Sequence, residues 1–210
     1  MNILESLNWR YAVKLFDPEK HISDADFENV LEALRLSPSS FGLQPWKFIV
    51  VKDAALREQL KEHSWNQPQI VDASHMIVLC MRTDIDANYI EKYIEDMAET
   101  REVPVETLDG YKNKMIGFLE EKKKAGEAEN WGARQLYIAL GNLLTSAATM
   151  GIDACPMEGF DKGKYDEMLG LADKNLTAIA VCTLGYRSAD DKYATAKKIR
   201  FSKEEVVEEI

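Results

Sequence analysis

Two short basic stretches are the first places in this chain where side chains could do chemistry. Arg10-Tyr11-Ala12-Val13-Lys14 carries two cations four residues apart, and Lys197-Lys198-Ile199-Arg200 carries three within four positions. On a helix, Arg10 and Lys14 share a face; on an extended segment, they alternate to the same side. Lys198 and Arg200 share a side of an extended segment. Arginine offers a charged fork to phosphate and lysine a point charge. Taken alone, each stretch reads first as exposed surface charge, because basic pairs are common. The chain as a whole is acidic, with 26 basic against 36 acidic residues and a net charge of −10. That argues against a general nucleic-acid or anionic-membrane binder and makes any convergence of cations selective.

Neutral donors come next. SPSSFGLQPWKFIVV, residues 37–51, places Ser37, Ser39 and Ser40 beside Gly42. Such serines either cap helix ends and turn backbone or, with glycine permitting close approach, cradle a ligand. DACPMEGFD, 153–161, reads as a short extended piece entering a turn, with Glu158 a lone carboxylate. Trp46 reads as core. His21, His63 and His75 have no nucleophile or ligand set beside them, so neither a hydrolytic triad nor a zinc site is indicated. Cys80, Cys155 and Cys182 lie in apolar runs without CxxC spacing, which indicates buried free thiols in a reducing compartment. There is no GxGxxG and no GxxxxGK[ST].

The elements that must position these residues follow from periodicity. Residues 2–9 read as a short helix. Ser23 and Asp26 mark a helix start, with Phe27, Val30, Leu31 and Leu34 on one face and Pro38 enforcing the stop. Residues 48–51, 76–80 and 176–184 read as buried strands, 54–63 as a polar helix, and WNQPQ (65–69) as a loop. From about 86 to 125 the pattern is helical and charged, broken near Pro104 and Gly110; Glu120–Lys124 is a solvated face. Residues 131–150 are apolar almost all round, so this helix is buried on several sides or covered by a partner subunit, and Gly151 ends it. Helices outnumber strands without regular βα alternation, which indicates an α+β fold. The 210 residues suit one domain, 1–210. No apolar run approaches the roughly 20 residues that span a bilayer. The first residues lack a basic start followed by an apolar block, so no signal peptide is expected.

In order and spacing, RYAVKLFD (10–17), SPSSFGLQPWKFIV (37–50), NQPQ with DASH (66–75), QLYIALGNLL (135–144), DACPMEGFD (153–161) and KKIR (197–200) resemble the FMN-dependent nitroreductase family. The similar branch comprises oxygen-insensitive NAD(P)H nitroreductases, dihydropteridine reductases and flavin reductases. The resemblance implies a central, mostly antiparallel sheet surrounded by helices in an intertwined cytoplasmic homodimer, with one FMN per site at the subunit interface. It implies that Arg10, Lys198 and Arg200 clamp the FMN phosphate, with Tyr11 and Ala12 beside them. Lys14 would lie by the ribityl chain and pyrimidine edge, and Asn66 and Gln69 at the flavin's polar edge. Pro156, Met157, Glu158 and Gly159 would lie over the ring, with a backbone N–H at Glu158 or Gly159 facing N5. Pro38, Ser39 and Ser40 would come from the second subunit, and Phe118 would gate the substrate. The chemistry implied is ping-pong two-electron reduction of nitroaromatics, quinones or related small acceptors by NAD(P)H. The alternatives are a flavin reductase supplying reduced FMN and a non-catalytic flavin-binding module. No side chain is required as an acid or base. Two positions depart from the pattern: Ala12 stands where relatives often carry Ser, and Gln69 where close relatives carry Lys.

Overall fold

A computed structural model describes residues 2–210. The chain opens with α1 (Ile3–Trp9), capped by Asn2 and Glu5 in a reciprocal capping box, then α2 (Asp24–Arg35). Ser23 caps α2 by accepting from the Asp26 amide, as its sequence signature predicts. Then come β1 (Trp46–Val50), α3 (Ala54–Glu62), α4 (Gln69–Asp72), β2 (His75–Arg82) and α5 (Ala87–Arg101). They are followed by α6 (Asp109–Lys124), α7 (Ala128–Thr149), β3 (Asp153–Met157), α8 (Lys162–Met168), β4 (Leu176–Gly185) and α9 (Lys203–Val206).

The sheet is antiparallel throughout, in the order β1-β2-β4-β3. The two central strands are apolar on both faces because helices cover both. Ile77, Leu79 and Met81 of β2 face a core built with Val30 and Leu34 of α2 and Leu136, Leu140 and Leu143 of α7. Met76, Val78 and Cys80 face the opposite core with Phe16, Leu60, Ile70 and Tyr165. A third cluster, under α5 and α6, gathers Ile90, Ile94, Met115 and Trp131.

Several boundaries differ from the sequence reading. The sequence predicts a buried strand at 48–51, but β1 begins at Trp46 and lies at the sheet edge, so Trp46 and Val51 are buried while Phe48, Ile49 and Val50 are half-covered. Gln69 leaves the expected loop to open α4. The break after α5 falls at Pro104 and a short 3-10 turn, Val105–Leu108; Gly110 sits inside α6, not at a break. Residues 153–157 are a full strand, and the turn waits until Glu158. Pro156 is tolerated there because β3 is an edge strand. The polar helix α3 buries Arg57 as well as Leu60.

Candidate functional site

The first group of site residues gathers where α1 ends. Arg10 is the extended C-cap of α1, and the chain beyond it runs along the outer edge of β3. There Ala12 forms a parallel bridge with Ala154. The segment near residue 200 lies against the end of α1, and between the two lies a cleft of about 460 Å³ lined by Arg10, Tyr11, Ala12, Lys14, Lys198 and Arg200. The Lys198 ammonium donates to the carbonyls of Leu7, at 2.5 Å, and Arg10. The Arg10 Nε is buried and has no partner. Burial and the neighbouring Arg200 hold the Arg10 guanidinium below its usual range. Burial, Arg10 and Arg200 do the same to Lys198. Three cations thus repel one another around an orphaned donor, an arrangement that fits a multiply charged anion such as a phosphate monoester.

The second group lies at the far end of β3. Trp65 and Asn66 both adopt left-handed backbone (φ 54° each). The turn carrying them is tied to the segment after β3, because Gln67 Nε2 donates to the Gly159 carbonyl at 2.9 Å. Trp65, 78% exposed, lies against Gly159, where a Cβ would stand 2.5 Å from its Cζ3. Only glycine permits this contact. A second cleft, about 270 Å³, opens among Tyr137, Leu140, Pro156, Met157 and Glu158. The Tyr137 hydroxyl donates to the Glu158 carboxylate. Burial, then that bond, push the Tyr137 phenol up to about 12. Gln69 is buried and leaves its Oε1 without a partner. Burial pushes the Cys80 thiol up to about 12 and raises Cys155 and Cys182 too, so none is a thiolate near neutral pH.

The serine group stands apart. Ser39 Oγ accepts from the Gln44 amide at 2.9 Å, and the Ser40 amide donates to Gln135 Oε1 at 2.8 Å. Phe41 and Gln44 both have positive φ (58° and 47°). Such backbone persists only when the surroundings impose it, and here tyrosines do. Tyr93 and Tyr111 donate to the Phe41 carbonyl, and Tyr89 to those of Leu43 and Gln44. Phe118 packs edge-on against Phe41 and Trp131 at centroid distances of 5.1 and 5.8 Å, so it travels with the serines. The cleft lined by Pro38 and Ser39 shares no residue with the cationic cleft or the Glu158 cleft. On α7, Gln135 and Tyr137 point about 200° apart. Within one chain, therefore, the serines hang from one flank of α7 while Glu158 meets the other.

Sequence reasoning missed Trp65, Gln67, Gln135, Asp153, Arg187 and Asp191. Arg187 forks onto Asp153, with Nε and Nη2 at 2.9 and 2.6 Å from Oδ1, and stacks over Trp9 and Tyr11. No local spacing signals such pairs.

Comparison with known proteins adds three findings. A family model described as the nitroreductase family matches residues 7–186. A Bacillus subtilis protein provisionally named NAD(P)H nitroreductase YfkO is 40% identical over 207 residues, covering 94% of each chain. Among solved structures, the provisionally named nitroreductase ydfN of Bacillus subtilis superposes with a TM-score of 0.86 at 22% identity, covering 99% of this chain and 98% of that one. A provisionally named nitroreductase from Exiguobacterium sibiricum, solved in complex with FMN, superposes at 0.85 with 20% identity, covering 100% and 98%.

Proposed function

This chain belongs to the nitroreductase family, and from that premise we propose that it is an FMN-dependent NAD(P)H oxidoreductase acting as a homodimer on small acceptors such as nitroaromatics and quinones. The single observation that carries the cofactor is the unpartnered, buried Arg10 Nε among three cations. Arg10, Lys198 and Arg200 would hold the phosphate. Lys14 would lie by the ribityl chain, and Asn66 and Gln69 would hold the polar edge of the ring. Residues 156–159 would lie against its face. When bound, FMN supplies hydride acceptance from NAD(P)H and two-electron delivery to an acceptor, each partner using the same face in turn.

The chain's own residues then bind, orient and exclude. Fixed cations would take the phosphate, while Asn66 and Gln69 would offer neutral amides to the ring. The Tyr137 hydroxyl engages one oxygen of the Glu158 carboxylate, which supports a backbone role for that residue. The separation of the serines from the cradle supports a second copy: Pro38, Ser39 and Ser40, with Phe118 behind them, would complete the partner's site. Tyr137, Ile138 and Gly141 form an exposed, weakly polar strip of α7 suited to that contact. No helix among the described residues is long and apolar enough to cross a membrane. Three buried free cysteines suit a reducing cytoplasm.

An absorbance spectrum of the purified protein tests the proposal. We expect bands near about 370 and 450 nm, bleached by anaerobic NADH or NADPH. We also expect turnover with nitrofurazone or menadione to exceed turnover with added FMN. A colourless protein that takes up no FMN refutes the reading. A yellow protein that NAD(P)H cannot reduce leaves only a flavin-binding module.

A further inference from the structure

The cationic cleft poses a mechanical problem. Its charges come from two arms separated by 188 residues, and the charges repel. Something must hold the arms together before any anion arrives. Behind the cleft lies Asp191, 5% exposed. Its Oδ2 accepts from the Tyr11 hydroxyl at 2.9 Å, the Lys14 amide at 2.9 Å and the Leu15 amide at 3.1 Å. Its Oδ1 accepts from the Tyr193 amide at 3.0 Å. Burial alone would raise this carboxyl, but those four hydrogen bonds hold it below the usual range, so it stays ionised. Alongside it, the Ser188 amide donates to the Leu15 carbonyl at 2.9 Å, and Arg187 covers the rings of Trp9 and Tyr11.

We propose that Asp191 is the positioning residue of the phosphate cradle. Its carboxylate clasps the segment bearing Arg10 and Lys14 to the arm bearing Lys198 and Arg200, and so preorganises the cations for the FMN phosphate. This rests on the FMN reading above. The residue does not face the ligand; all its hydrogen bonds run to the two arms. An ionised carboxylate accepts at both oxygens and donates at neither, which suits four converging donors. An asparagine of the same shape would set an NH2 group against at least one of those donors. The arms would then yield to the repulsion among Arg10, Lys198 and Arg200, and the cradle would open without loss of its charges.

The test separates phosphate from ring. Dissociation constants for FMN and for riboflavin, which lacks only the phosphate, are measured by flavin fluorescence on FMN-depleted full-length protein. The wild type should prefer FMN strongly. Asp191→Asn should lose about tenfold of that preference, mostly in FMN affinity, with riboflavin affinity little changed. Tyr11→Phe, which removes one donor and keeps the ring under Arg187, should lose roughly threefold and serves if the Asn variant does not fold. Unchanged FMN-to-riboflavin ratios in the folded variants overturn the clasp. Equal loss of both ligands also overturns it, since that marks a general structural role. A wild type that binds riboflavin as well as FMN refutes the FMN reading itself.

Discussion

Replacing Arg57 with methionine should cost this protein much of its stability, although Arg57 sits in a helix that reads as polar surface. Its guanidinium is buried and donates to four backbone carbonyls. Nε reaches Ile70 O at 2.6 Å; Nη2 reaches Val71 O at 3.1 Å and Ala73 O; Nη1 reaches Ser74 O at 3.4 Å. These carbonyls belong to α4 and the turn into β2. Two of the carbonyls, those of Ile70 and Ala73, are buried. A buried carbonyl left without a donor costs about 1–3 kcal/mol, so their loss alone amounts to roughly 2–6 kcal/mol. Methionine fills similar space and removes the cost of burying a charge, which offsets part of that. A net destabilisation of about 2–4 kcal/mol remains, against a typical total of about 5–15 kcal/mol. For a chain of this length that is a fall in melting temperature of roughly 10 °C. Urea denaturation followed by circular dichroism measures the free energy, and calorimetry the melting point. Arg57→Lys should recover little, because one ammonium cannot span four carbonyls set around a planar fork. A methionine variant within about 1 kcal/mol of wild type would refute this accounting, and a fully restored lysine variant would refute the role of the fork.

Stability should fall as pH drops from neutrality toward 5, with His75 as one contributor. Its ring stacks on Phe27 at 3.7 Å and its Nδ1 pairs with Ser74 Oγ at 2.9 Å. Burial holds its pKa below 6.5, helped by Arg57, Lys52 and His21 and opposed by Asp24. The unfolded chain therefore binds the proton more readily, and the stabilising contribution is complete above pH 6.5 and lost as pH falls through the lower folded value. His75→Gln should flatten that slope in urea titrations run across pH, and an unchanged slope would refute the assignment. Gln69→Lys should raise the flavin midpoint potential by roughly 50 mV in a redox titration, because a shielded ammonium stabilises the anionic reduced ring; equal potentials in the two proteins would sink that idea.

The elements that a single stretch of sequence specifies were legible. α2 announced itself through Ser23 and the spacing of Phe27, Val30 and Leu34, and α7 through its lack of a polar face. The two basic stretches were legible as candidates, and family resemblance assigned them one ligand; the fold brings them to one cleft. What could not be read depends on partners far along the chain. Arg57 looks like any arginine of a charged helix until the carbonyls after α4 close around it. Asp191 sits in the plain run ADDKY, and nothing local says that its donors lie near residue 14. The strain at Phe41 and Gln44 has the same origin, since the tyrosines that impose it belong to α5 and α6. The edge position of β1 is a property of sheet order, which its own five residues do not encode.

The distance along the chain between the two arms of the cleft also orders events during synthesis. The ribosome delivers Arg10 early, and the sheet is complete once Gly185 has emerged. Asp191, Lys198 and Arg200 follow only after that. On the proposed reading, the cleft is completed by the part of the chain made last, and cofactor loading would follow assembly of the sheet.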